Sequence, residues 1–159
     1  MNFIHTENHY PIAKDVIWEE VFDKIDEQYQ IPDLHVLGFD ARPHTIIIKP
    51  NSENGEVSFP PSLTAVKEAI DRKVYDMQFY FSLGRNASVY PSHRDKVDVF
   101  LVQSKGTVTY VLEEGEPNET TVTLNPGDSL FLPCGLAHCA RTHGPRLTFS
   151  FAASEIKAL

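Results

Sequence analysis

The sequence predicts an α+β, mainly β chain: an antiparallel sandwich or barrel carrying two helices on the outer face of one sheet. Two observations lead there. Seven short β-rich runs between residues 74 and 153 are divided by turn signals every eight to twelve residues, the spacing of an all-β core. Ahead of them lie two segments whose apolar residues recur at three- and four-residue steps, the period of a helix with one buried stripe. The 159 residues, 42% hydrophobic and 23% charged, fit one domain over 1–159 with an ordinary soluble composition. A chain of that size buries about two-thirds of its unfolded surface without disulfides or a structural metal.

Between residues 13 and 29 the helical stripe is Ile17, Trp18, Val21, Phe22, Ile25 and Tyr29, and Pro32 ends it. Runs 34–39 and 45–49 are short and β-rich, parted by Ala41, Arg42 and Pro43, and a polar loop over 51–56 closes at Pro60 and Pro61. A second helix is expected to start with Ser62 as N-cap and to carry Leu63, Val66, Ala69 and Ile70 to about residue 72. This helical and extended part, 1–73, precedes a core over 74–153. Strands are expected there at 74–83, 97–103, 107–113, Thr120–Leu124, Ser129–Leu132, Ala137–Thr142 and Arg146–Ala153. Gly84, Gly106, Gly115, Gly127 and Gly144 mark the turns between them. In the last strand, alternation puts Arg146, Thr148 and Ser150 on one face and Leu147, Phe149 and Phe151 on the other. That pattern suits a polar lumen and an apolar layer under the helices. Phe79, Tyr80 and Phe81 are read as core.

Charge and targeting signals narrow the function. The net charge is −8 and basic residues do not cluster, so no surface tracks phosphates and nucleic acid is not an expected partner. No run approaches the length of a membrane span, and residues 1–10 lack the apolar stretch of a leader. Cys134 and Cys139 make no disulfide framework and suit a reducing compartment, so a cytoplasmic, membrane-free protein is expected. The Asn86 and Asn118 glycosylation triplets are chance matches on that reading.

The chemistry concentrates in two pieces. One is His93-Arg94-Asp95; the other is Gly127 followed by Pro133, Gly135 and His138. In an extended segment residues i and i+2 point the same way, so His93 and Asp95 project to one side with Cα atoms roughly 6–7 Å apart. His138, expected from a facing strand, completes a set of two imidazoles and one carboxylate. Such a facial triad leaves open positions and suits non-haem iron(II). His143 is read as a solvent-facing turn residue, while His5, His9, His35 and His44 receive no role. Cys134 and Cys139 flank His138, yet one lies in a turn and the other points away along the strand, so neither is read as a ligand.

Residues 74–153 resemble the cupin superfamily and, more narrowly, the JmjC-type 2-oxoglutarate oxygenases, including ribosomal-protein and asparaginyl hydroxylases. The second cupin motif is matched from Gly127 to His138, with Thr142 in place of its trailing Asn. The first is matched at His93, Asp95 and Gly106, while Val99 stands where many cupins have a glutamate ligand. Residues 98–103 followed by Gly106 are similar to the strand after the HxD pair in those hydroxylases. The resemblance implies a double-stranded β-helix (cupin or jelly-roll) core with the two helices packed outside. It also implies iron(II), or another divalent metal, and 2-oxoglutarate as co-substrate. The basic residue that commonly pairs with the far carboxylate of 2-oxoglutarate is replaced by Val108. Arg146 with Thr148 is similar to the Arg-x-Ser/Thr pair of other 2-oxoglutarate oxygenases, and a guanidinium fork fits a carboxylate. Tyr90 and Tyr110 are candidates for further hydroxyl donors to the co-substrate.

Three functions remain open on this reading: an iron(II)- and 2-oxoglutarate-dependent hydroxylase, a metal cupin that does without 2-oxoglutarate, and a non-catalytic ligand-binding module. Val108 favours the second, and the shortness of the chain favours the third. The substrate is a small molecule or a peptide side chain. Homodimerisation through strand edges, common among cupins, is the expected form of any self-association.

Overall fold

The computed structural model describes residues 2–29, 45–48, 59–87 and 89–153. The strand expected at 34–39, the terminator Pro32, the loop 51–56, and His35 and His44 lie outside the described residues.

Among the described residues, ten strands form two sheets whose neighbouring strands are all antiparallel. The larger sheet runs β1 (Ile4–Thr6), β8 (Ser129–Leu132), β5 (Asp98–Lys105), β10 (Arg146–Ala153), β3 (Val74–Ser82), β2 (Ile46–Ile48). The smaller runs β4 (His93–Arg94), β9 (Ala137–Thr142), β6 (Val108–Leu112), β7 (Thr120–Leu124). Alternation along each strand sorts the side chains into two apolar layers. Val99 and Leu101 of β5 join Leu130 and Leu132 of β8 and Val108 and Leu112 of β6 between the sheets. Phe100 and Val102 of β5 point the other way, with Phe79, Phe149 and Phe151, and meet Val21, Ile25, Leu63 and Val66 of the helices. The helices therefore cover the outer face of the larger sheet, as the greasy face of β10 predicts.

The N-terminal helical segment divides in two. A 3-10 turn covers Pro11–Asp15, Val16 is extended at φ −57° and ψ 133°, and the first α-helix, α1, runs Trp18–Tyr29. The carbonyls of Ala13 and Lys14 accept from the Ser104 hydroxyl at 2.6 Å and the Lys105 ammonium at 2.6 Å. Those acceptors are thus engaged by the β5 end instead of continuing a helical ladder. Ile17 and Phe22, placed in the buried stripe by periodicity, are each 47% exposed.

Helix α2 spans Pro61–Ala69, with Pro60 at the N-cap position and Pro61 at its first turn. Ser62 is not its cap. The Ser62 hydroxyl accepts the backbone N–H of Ile17 at 3.0 Å and donates to the Glu20 carboxylate. It therefore satisfies a donor at the entrance to α1, one of the orphan groups every helix start leaves. Pro61 leaves no orphan N–H at the first helical position, and its fixed φ suits that turn.

The strand at the N-terminus was not expected from the sequence. β1 pairs with β8, Ile4 opposite Phe131, and is fixed by Asp128, whose carboxylate accepts from the Asn8 backbone N–H at 2.8 Å and lies 3.4 Å from His5 Nε2. No helix among the described residues is long and apolar enough to cross a membrane.

Candidate metal centre and cavity

The interior of the sandwich is apolar on one side and polar on the other. Where β5 and β8 supply Leu and Val, β10 and β3 supply Arg146, Thr148, Ser150, Gln78 and Tyr80. Beside these polar side chains a cavity of about 310 Å³ remains between the sheets. Its wall includes His93, Asp95, His138, Arg146, Tyr110 and Tyr80.

The structure brings His93, Asp95 and His138 together, with one ligand atom from each inside a 4.8 Å span. His93 Nε2 is 3.9 Å from Asp95 Oδ1, and His138 Nε2 is 3.4 Å from Asp95 Oδ2. The strand arrangement differs from the sequence expectation in one respect. His138 does not reach across the sandwich from a facing strand. It sits on β9, hydrogen-bonded to β4 within the smaller sheet, directly opposite His93. Directly opposed antiparallel residues hold their Cβ atoms roughly 4.5–5.5 Å apart, and the two imidazole centroids lie 4.5 Å apart.

Both imidazoles are oriented by backbone carbonyls. Nδ1 of His93 is 2.9 Å from the Pro91 carbonyl oxygen, and Nδ1 of His138 is 3.0 Å from that of Leu136. A carbonyl only accepts, so each Nδ1 carries the proton and each Nε2 presents its lone pair toward Asp95. Burial is the main cause that holds the His138 imidazolium pKa below its ordinary value, with His93 adding to it, against the opposing Leu136 carbonyl and Asp95 carboxylate. Its Nε2 therefore gives up a proton more readily than a free imidazole does. A metal bound by N and O ligands at roughly 2.0–2.2 Å fits this donor set with a small inward shift of the side chains.

The segment carrying His93 and Asp95 is clamped. Arg94 points away from the cavity and makes a paired contact with Glu113, at 3.1 and 2.9 Å, and a third bond to the Gly135 carbonyl at 2.6 Å. The Arg94 guanidinium holds the Glu113 carboxyl below its ordinary pKa. The Asp95 carbonyl accepts the Gly135 N–H at 2.9 Å, which ties the second ligand to the turn before His138.

The other candidates divide by depth. Arg146 is 2% exposed and lines the cavity; its Nε donates to Ser82 Oγ at 3.2 Å and its Nη1 to Thr148 Oγ1 at 3.0 Å. Among the described residues no carboxylate forms an ion pair with it. Thr148 is fully buried beneath the guanidinium and does not reach the cavity. Tyr110 is buried beside Arg146 and Thr148, and burial raises its phenol pKa. Tyr90 is half exposed at the rim, its ring 5.7 Å from that of His93. Val108 is buried in the inter-sheet core, so β6 brings no cation at that position.

Cys139 is buried next to Glu114, Cys134 is exposed, and neither joins the ligand cluster. His143 is exposed and bonded to the Thr109 hydroxyl at 2.7 Å. Gln78 and Tyr80 were not singled out by sequence as site residues. Tyr80 was grouped with Phe79 and Phe81 as core, yet only the two phenylalanines pack outward. Gln78 Nε2 donates to the Tyr80 hydroxyl at 2.6 Å, and burial, reinforced by Tyr110, pushes the Tyr80 pKa up to about 12. The signal was present: Asp76, Gln78 and Tyr80 alternate with Met77, Phe79 and Phe81 just as the two faces of β10 do.

A family model described as "JmjC domain" matches residues 110–158, a stretch that contains His138 and Arg146 but not His93 or Asp95. No curated protein sequence matches the chain. Among solved structures, the ribosomal oxygenase YcfD of Escherichia coli in complex with cobalt and succinic acid is similar at a TM-score of 0.60 and 16% identity, over 99% of this chain and 49% of that one. The same enzyme in complex with cobalt and 2-oxoglutarate gives a TM-score of 0.60 at 16% identity over the same shares. A further YcfD structure gives a TM-score of 0.56 at 15% identity over the same shares. The chain spans about half the length of these structures. The likeness shows the fold, a cupin jelly roll that resembles the JmjC-type oxygenases.

Proposed function

We propose that this chain is a metal-dependent oxygenase that uses iron(II) and 2-oxoglutarate to hydroxylate a C–H bond of a small molecule or a peptide side chain. The observation that carries this reading is the pairing, in one cavity of about 310 Å³, of three converging ligand atoms with a buried guanidinium that has no carboxylate partner among the described residues. A cation removed from water calls for an anion. The cavity is of the size that holds a small ligand.

His93 Nε2, His138 Nε2 and one Asp95 oxygen would hold the metal, leaving the cavity side for exogenous ligands. Metal and 2-oxoglutarate, when bound, supply oxidising chemistry in which dioxygen, 2-oxoglutarate and a substrate C–H become succinate, carbon dioxide and the hydroxylated product. Everything else falls to the chain itself. Arg146 receives the far carboxylate of the co-substrate with its remaining N–H donors, and its depth keeps that ion pair away from water. Tyr110, protonated at neutral pH, offers a hydroxyl beside it. Tyr90 and Asp95 lie toward the open side, where a substrate enters. YcfD, the similar ribosomal oxygenase, carries cobalt and 2-oxoglutarate in one of its structures, which supports a divalent metal together with 2-oxoglutarate here.

A second reading, a metal cupin that does not use 2-oxoglutarate, draws on the buried Val108 at the position where JmjC-type relatives are commonly basic. One assay separates them: oxygen uptake by iron(II)-loaded protein with ascorbate, with and without 2-oxoglutarate. Uptake that depends on 2-oxoglutarate and yields succinate, and is absent from a His138→Ala variant, is expected. Uptake indifferent to 2-oxoglutarate would transfer the case to the second reading.

A further inference from the structure

We propose that Gln103 is the positioning residue for Arg146, acting through Thr148 to fix where the guanidinium points and which of its N–H groups stay free for an anion. This inference rests on the reading of Arg146 as the carboxylate anchor.

Gln103 and Thr148 are both fully buried, at 0% exposure. Burying an amide and a hydroxyl is costly unless each polar atom is satisfied, and here the partners form one directed chain. The Gln103 amide nitrogen donates to the carbonyls of Lys105 at 2.8 Å and Gly106 at 3.0 Å. Carbonyls only accept, so the NH2 end of Gln103 must face them and its oxygen must face β10. That oxygen can only accept, so the Thr148 hydroxyl donates to it, at 2.7 Å. With its one proton committed, Thr148 has only lone pairs to offer the next group, and it accepts from Arg146 Nη1 at 3.0 Å. Ser82 takes Nε from the other side at 3.2 Å. Two of the five guanidinium N–H donors are thereby assigned, and the Tyr110 phenol is a further polar neighbour of the guanidinium at the cavity wall.

The start of this chain is itself immobile. Gly106 has φ +66°, and a Cβ there would stand 1.9 Å from the Pro145 carbonyl oxygen, so the turn that offers the two carbonyls accepts no other residue without rearrangement. The register across β5 and β10 shifts between Leu147 and Thr148, and it is this irregularity that sets Thr148 opposite Gln103. A chain lacking a cation at Val108 thus orients the one on Arg146 from the strand next door. Turning the Gln103 amide over would set its oxygen against the Lys105 and Gly106 carbonyl oxygens, so the direction of the chain is fixed from its start.

The test compares the binding of 2-oxoglutarate with that of 2-oxopentanoate, which keeps the chelating end but lacks the far carboxylate. Both are titrated anaerobically into iron(II)-loaded protein. In the wild type the ratio of affinities reads the carboxylate contact. Gln103→Met and Thr148→Val are expected to reduce that ratio roughly 5- to 50-fold while metal affinity and 2-oxopentanoate affinity change less than about twofold, the size expected when one or two hydrogen bonds to a charged group are lost. Thr148→Ser, which keeps the hydroxyl, is expected to restore the ratio. A wild-type ratio near one would remove the anchor reading and this inference together. A high wild-type ratio that survives in both variants, or a parallel fall in both ligands and the metal, would overturn the inference alone.

Discussion

Asp95→Ala abolishes tight binding of a divalent metal and leaves the fold in place. Asp95 supplies the only anionic ligand of the triad, and its two oxygens face the two imidazoles at 3.9 and 3.4 Å. Without it, two neutral nitrogens remain, and hard divalent cations bind weakly to so few neutral donors. Loss of a partner that only orients a ligand typically costs 10- to 100-fold in metal affinity, so removing the charged ligand itself is expected to cost more than about 100-fold. The side chain is 36% exposed, and the segment that carries it is held by Arg94, Glu113 and Gly135, so truncation removes little packing. Equilibrium dialysis against cobalt(II), beside a thermal unfolding scan of the apo protein, separates the two effects: metal affinity collapses and the apo melting temperature holds.

Arg146→Met acts on the other ligand. Truncating one partner of a buried, hydrogen-bonded charge pair costs about 2–5 kcal/mol, and the affinity of the metal-loaded protein for 2-oxoglutarate should therefore fall by a factor of at least about 30. Metal affinity should not move, because Arg146 makes no contact with His93, Asp95 or His138 among the hydrogen bonds and ion pairs of the described residues. The apo fold should be at least as stable as the wild type. A buried cation without a counter-ion is unfavourable in the absence of ligand, and apolar replacement of such groups is often neutral or stabilising. Lower ligand affinity with an equal or higher melting temperature distinguishes a binding residue from a structural one. A melting temperature that drops in step with affinity would mean that Arg146 serves the core.

Much of this architecture was legible before any coordinates. β7, β8, β9 and β10 run where period-two alternation and the glycine turns placed them, because each strand is buried on at least one face and a one-residue slip would expose its whole apolar set. The two polar-apolar faces of β10 were readable for the same reason. What escaped the sequence depends on distant partners. β1 is three residues long and owes its existence to β8 and Asp128, more than a hundred residues away. Ser62 has the chemistry of a cap, but the helix end it serves belongs to α1. The helical period of residues 13–29 could not reveal that Ser104 and Lys105 would claim the carbonyls of Ala13 and Lys14.

The candidate site divides along the same line. His93 and Asp95 converge because i and i+2 share a face, a purely local rule. Their meeting with His138 depends on β4 pairing with β9, which a motif suggests but spacing alone cannot place in one sheet or across two. Gln103 was hidden inside an apolar run, and its role follows only from the register that sets it against Thr148. Thr148 was readable as a companion of Arg146, yet its depth beneath the guanidinium comes from the register of β10 on β5.

The central claim, that one cavity binds metal and 2-oxoglutarate together, is tested most directly by calorimetric titration of 2-oxoglutarate into anaerobic, iron(II)-loaded protein, with a His93→Ala, Asp95→Ala double variant as the control. The account predicts one site per chain, an affinity in the micromolar range, and no binding to the variant. One tightly held metal per chain with no heat from 2-oxoglutarate, or equal binding to the variant, would contradict it.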